Sequence, residues 1–322
     1  HKDKVAQQEV APMKETDTQV IYSGKNFKAV FDKKSGLLVS YQYNGAEYIL
    51  NGQGLHPNFW RAPIDNDYGA GLARKLGVWK EASYQDIMAA SFNARNGEVT
   101  CTYQFPQTDA TWDITYKIYT NGVIKVDNRF VAANEKTPMI PRIGLRMQMP
   151  ETFTTLTYYG RGPEENYRDR RTSQFFGEYS TPIKKMYEPY IRPQENNHRT
   201  DIYWCALTNK SGAGLLLVAD RTFEMNASNY PLETLDSGDD LHNAAPRTAQ
   251  TNHRHLTDPK PEKMVDLFID YRMMGVGGDN SWGALAHEPY LIRTGAQNAV
   301  EYGFTLVPFG RKTDFRNLIY QY

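Results

Sequence analysis

Glu164 and Glu165, in GRGPEENYRDR (160–170), are the adjacent acidic pair that first suggests hydrolytic chemistry. Cleavage of an acetal by two carboxyl groups needs them facing each other roughly 5 to 10 Å apart. Neighbours on an extended chain point in opposite directions, so the pair cannot flank one bond. A turn or ion-pair role is expected for both. APIDNDYG (62–69) sets Asp65 and Asp67 where a calcium loop would begin, but the fifth position is Gly69 and no glutamate stands at the twelfth. A looser site for a hard cation stays open. The expected role of Arg61, Asp65, Asn66 and Asp67 is to cross-link loops, because charged and amide groups beneath loops must find partners. In NHRHLT (252–257), His253 and His255 would share a face if the stretch were a strand, as a metal pair or an acid and a base would require. No third ligand stands nearby, so a structural or hydroxyl-binding role is expected and no metal is assigned.

GVGGDNSW (275–282) places three glycines, Asp279 and Asn280 ahead of Trp282. A dinucleotide fingerprint would need a glycine where Asn280 stands, followed by a helix, and GALAHEPY is too short and too proline-bound for one. Two readings remain for Trp282. It is a core ring closing a loop, or it is a stacking surface with an amide and a carboxylate beside it, the combination that holds a polyol by its C–H face and its hydroxyls. No serine elbow, zinc helix motif or phosphate loop is present.

The elements that must carry these residues read as strands. Asn44-Gly45, Asn96-Gly97 and Asn121-Gly122 each separate alternating runs, the form of tight hairpins with positive φ at both central residues. Trp112, Ile114, Tyr116 and Ile118 alternate with polar residues, as do Ile124 and Val126 after the turn; Phe27, Ala29 and Phe31 repeat the pattern. GLLLVAD (214–220), MVDLFIDY (264–271) and VEYGFTLVPFG (300–310) predict buried strands, and GLARKLGVWKEA (71–82) the one helical stretch. Many strands and few helices predict an all-β fold of two large antiparallel sheets stacked face to face. One domain over 20–322 is expected, after a polar linker over 1–19 that belongs to something longer.

Lysines plus arginines number 37 and aspartates plus glutamates 37, so charge supplies no bias toward nucleic acid or an anionic membrane. The partner class left is neutral, and a 13% aromatic share suits sugars, although tyrosine and phenylalanine are also ordinary strand residues. No apolar run approaches the roughly 18 residues of a membrane span. Cys101 and Cys205 make no disulfide framework, which leaves the compartment open between bacterial cytoplasm and periplasm.

Five segments taken together, NFWRAPIDND (58–67), GRGPEENYRDR, MYEPYIRPQENNHR (186–199), NHRHL and GVGGDNSW, resemble the C-terminal, small-chain domain of family 2 β-galactosidases, in that family's order and over about residues 20–310. The resemblance implies a galactose-mutarotase-like supersandwich. It implies that the catalytic glutamates lie on an upstream TIM barrel, with none in this chain, and that the chain alone is inactive. The domain would pack on the barrel and sandwich domains of the same polypeptide, with Trp282 on the leaving-group side of a galactoside and Asp279, Asn280, His253 and His255 near the sugar. Glu165, Asn166, Arg170, Glu195, Asn196 and Arg199 would structure its loops. No cofactor is implied for this chain, although a cation in the parent enzyme stays open. The loop after RAPIDND would reach the substrate mouth, with Leu72 where an acidic residue can stand, and residues 311–322 fall outside the pattern. The rival readings are an aldose 1-epimerase, with His253 or His255 as acid and a glutamate such as Glu165 as base, and a free carbohydrate-binding module.

Overall fold

The computed structural model describes residues 8–237 and 253–322. A five-stranded antiparallel meander comes first, β1 (Met13–Glu15), β2 (Gln19–Ser23), β3 (Phe27–Asp32), β4 (Leu38–Tyr43) and β5 (Ala46–Glu47). Because Met13 pairs with Tyr22 and the buried Ala11 donates its amide to Ile118 O, the fold begins well inside the stretch read as a linker over 1–19. Of the three Asn-Gly turns read from the sequence, Asn44-Gly45 alone has positive φ at both residues, 49° and 80°; Asn51-Gly52, not singled out there, shares that geometry at 53° and 71°. Asn96-Gly97 and Asn121-Gly122 use it at glycine alone; the latter closes a three-residue loop in which Tyr119 and Val123 pair, the alternative solution for a hairpin.

The other twelve strands form one hydrogen-bonded sheet. They are β6 (His56–Asn58), β7 (Ser91–Arg95), β8 (Glu98–Phe105), β9 (Ala110–Ile118), β10 (Ile124–Ala132), β11 (Arg142–Pro150), β12 (Phe153–Gly162), β13 (Phe175–Pro182), β14 (Arg199–Asn209), β15 (Gly214–Ser228), β16 (Met264–Met273) and β17 (Val300–Phe309). The main path runs β13-β12-β14-β15-β17-β10-β9-β8-β7. Fifteen residues long, β15 forks this sheet: Gly214–Ala219 pairs with β17, whereas Glu224–Ser228 pairs with β16, which continues to β11 and β6. Register shifts between β14 and β15, with Asp201 at φ 57°, supply the bend that lets one strand serve two layers.

Period two decides the packing. On β14, β15 and β17, Cys205, Leu207, Leu215, Leu217 and Leu306 enter the main core, while Trp204, Ala206, Leu216, Val218 and Val307 face the other way into a second, smaller cluster. That back cluster is covered by the final segment, through Phe315, Leu318, Ile319 and Tyr322 around α5 (Arg316–Ile319). The continuous apolar run of GLLLVAD follows directly, since its strand is buried on both faces. Aromatic residues fill the main core: the ring of Phe59 lies within 6 Å of those of Trp79, Phe105, Trp112 and Phe130. Helices are short: α1 (Asp65–Gly69), α2 (Leu72–Lys75), α3 (Gly77–Tyr84) and α4 (Leu232–Leu235). Leu72 is buried in the main core. Cys101 and Cys205 are both buried and free.

Candidate functional site

Trp282 is 76% exposed, on a loop that is nonetheless held along its backbone. At its start, Gly275 N donates to Tyr290 O, and Val276 N and Gly277 N donate to the two carboxylate oxygens of Asp169 at 3.0 and 2.9 Å. Gly277 and Gly278 take φ of 75° and 130°, the left-handed region open to glycine, and a side chain on Gly277 would strike Ala284 O. Within the loop, Asn280 Oδ1 accepts from the amides of Trp282 at 3.1 Å and Ala284 at 3.0 Å. Asp279 pairs with His287 at 2.6 Å, and this partner raises the imidazole pKa. The glycines therefore permit a fixed, folded loop, and the indole projects from it into solvent.

Helix α1 is the platform beneath. Gly283 N donates to Asn66 Oδ1, and the Gly69 backbone touches the Trp282 carbonyl so closely that a Cβ there would sit 2.5 Å from its oxygen. Arg61, fully buried, sends Nε and Nη2 to Asp67 at 3.0 and 2.8 Å and Nη1 to Met274 O at 2.6 Å, tying the helix to the root of the loop. Asp65 is paired with Gln194. The carboxylate of Asp67 is paired with Arg61, and no group of three metal-ligating side chains occurs among the described residues.

The loops of residues 160–171 and 186–199 form a second polar layer. Glu165 accepts from Arg170 at 2.6 Å, from Asn197 N at 2.6 Å and from Tyr190 OH in a short bond. Asn166 is fully satisfied, taking Thr200 N and Oγ1 on its oxygen and giving to Arg161 O and Glu164 O. Glu195 receives Asn226 and lies 3.6 Å from Arg142; Asn196 bridges Glu188 N and Gln194 O; Arg199 binds Tyr158 OH, Asn197 O and Pro163 O. All of these side chains hold loops.

The stretch around His253 and His255 departs from expectation. It is a turn, closed by Asp258 accepting from the amides of Arg254 and His255, and the two imidazoles do not share a strand face. Aspartate followed by two prolines, in TDPKP, favours such a turn over a strand. His253 Nδ1 lies 2.7 Å from Thr234 O. Through Arg254 and Ser237 the turn reaches Tyr68 on α1. Asn252, in the same motif, lies outside the described residues. Two residues that sequence reasoning did not single out matter here: Asp169, inside a segment already flagged, and His287, a lone histidine five positions past the tryptophan.

The family model described as "Beta galactosidase small chain" matches residues 23–306. A β-galactosidase of Priestia megaterium is 34% identical over 289 residues, 89% of this chain and 26% of that protein; one from Streptococcus thermophilus is 30% identical over 287 residues, 86% of this chain and 26% of that protein. The chain thus spans about a quarter of the length of these relatives. Among solved structures, a galactose mutarotase related enzyme of Lactobacillus acidophilus superposes with a TM-score of 0.52 at 9% identity, covering 91% of this chain and 99% of that one, a likeness of fold alone. With a two-layered all-β fold, a pinned loop presenting an indole, and a family match over most of its length, this chain belongs to the β-galactosidase small-chain family.

Proposed function

We propose that the chain is an accessory, sugar-contacting domain of a longer β-galactosidase, in which Trp282 stacks on the leaving-group side of a galactoside whose bond is cleaved by carboxylates of another domain. The observation that carries this is an exposed indole on a loop whose backbone is hydrogen-bonded to Asp169, Asn280 and Asn66. A stacking ring loses least on binding when it is held in place beforehand. The motif acids support the division of labour: Asp67 and Glu165 are committed to guanidinium and amide partners, so neither is positioned to act as nucleophile or proton donor. The catalytic pair is assigned to a TIM barrel in the same polypeptide, with a further sandwich domain beside it, and any cation of the parent enzyme to that part as well. The epimerase reading is not favoured, because its base, Glu165, is saturated and its histidines sit on a turn. Asp279 and Asn280 hold the loop's own groups in this arrangement, and their role toward sugar is to fix the angle of the ring. The test is hydrolysis of a nitrophenyl β-galactoside by the purified chain. No turnover above buffer is expected; turnover that a carboxylate substitution in this chain abolishes would contradict the assignment.

A further inference from the structure

On the back of the central strands, away from the Trp282 loop and sharing no lining residue with it, lies a groove of about 960 Å³. Its base is the buried Trp204, Val218 and Thr305, and the final segment contributes Arg316, Ile319 and Tyr320. This volume is at the upper end of that of small-molecule sites. Two features define what would fit. Tyr203, 45% exposed, and Tyr159 present adjacent rings with centroids 5.7 Å apart, and Tyr320, 74% exposed, presents a third from the final segment. Five of the groove's seven charged lining residues are paired with one another: Lys125 Nζ meets Asp127 at 2.7 Å and Asp220 at 2.9 Å, and Arg316 Nε meets Glu178 at 2.9 Å, while Lys117 and Arg221 are exposed to solvent.

An ionic ligand that used the paired groups would have to displace their partners. A neutral polyol would not, because Asp127 and Asp220 each engage Lys125 through one oxygen and keep the other to accept from a hydroxyl. A protein segment fits poorly, since the centre of a protein interface is depleted of charge and here two lysines, two arginines and three carboxylates line the groove. We propose that the groove is a second carbohydrate-binding site, taking a neutral oligosaccharide with sugar faces on Tyr203 and Tyr159 and hydroxyls on Asp127 and Asp220. It stands independently of the role given to Trp282.

Saturation-transfer NMR of the chain with β-1,4-galactotetraose and with cellotetraose tests it. At least one is expected to bind. Tyr203→Ala, a change at an exposed ring that should leave the melting temperature unaltered, is expected to weaken binding at least about fivefold, the loss of one stacked ring, whereas Trp282→Ala leaves it unchanged. Failure of both sugars to bind, or binding that Trp282→Ala weakens and Tyr203→Ala does not, overturns the proposal. So does protection of Tyr203 and Tyr320 from hydroxyl-radical footprinting in the longer polypeptide without sugar, which would mean that protein occupies the groove.

Discussion

At the scale of single residues, the distinction that matters is between side chains spent on the fold and side chains left over. Trp282 is left over; Asp67, Glu165 and Asn166 are spent. Exposure of the ring could not be read from the sequence, because Gly, Asp and Asn before a tryptophan are equally consistent with a loop that folds its ring inward. The Asp169 anchor was invisible for a related reason: its partners are two backbone amides more than a hundred residues away. The Asp279–His287 pair sits in the same loop, and its consequence has a definite sign. Hydrogen bonding and the charge of Asp279 raise the His287 pKa above its ordinary 6.5, so whatever the pair adds to loop order is complete below that value and is lost as pH rises through the raised one. In an NMR titration the His287 midpoint is expected above 6.5, returning toward it in Asp279→Asn; an unchanged midpoint would remove the pair from the account.

Among elements, the contact of α1 with the loop is the most consequential. In Gly69→Ala the new methyl would meet backbone atoms of Trp282 and Gly283 at 2.5 to 2.8 Å, none of which can rotate away. A cost of about 1–3 kcal/mol is expected, as for overpacking generally, with faster hydrogen exchange at residues 282–284 and no change in β9 and β10. Gly77→Ala, at the start of α3 with open space around the added methyl, is the control and should be neutral or stabilising by up to about 1 kcal/mol. Hairpins were legible because Asn-Gly marks them locally and alternation fixes the buried face: Trp112, Ile114 and Tyr116 are all core. What alternation cannot specify is which distant strand lies alongside, so the β10–β17 pairing and the fork in β15 were out of reach. His253 and His255 show the opposite error, since spacing of i and i+2 has meaning only once a strand is established.

For the whole molecule, the two-layer arrangement and the role of the final segment as a cover are set by strands buried on both faces, and an ion cluster ties two neighbouring strands to a helix. Arg146 on β11 holds Asp266 on β16 through Nε and Nη2, at 2.7 and 2.8 Å, and Glu233 on α4 at 2.6 Å. Arg146→Met leaves Asp266 buried without its partner and is expected to cost about 3–5 kcal/mol in urea unfolding; a loss under about 1 kcal/mol would show the cluster to be replaceable. Beside it, burial and the charge of Arg146 push the His56 pKa down to about 4 from 6.5. Unfolding therefore takes up a proton in that window, and stability contributed by neutral His56 falls as pH drops from 6.5 toward 4. Burial raises Asp270 to about 6 from 3.8, which has the reverse effect, stability falling as pH rises from 3.8 to 6. His56→Gln should thus give a melting temperature that falls less between pH 6.5 and 5 than that of the unaltered chain. The proposed division of labour between this domain and the rest of a longer polypeptide is tested most directly by steady-state kinetics of Trp282→Ala in that polypeptide. Binding on the leaving-group side of a disaccharide is expected to weaken by about 1–3 kcal/mol, the scale of one stacked anchor ring, with hydrolysis of the bond itself retained; unaltered disaccharide kinetics would contradict it.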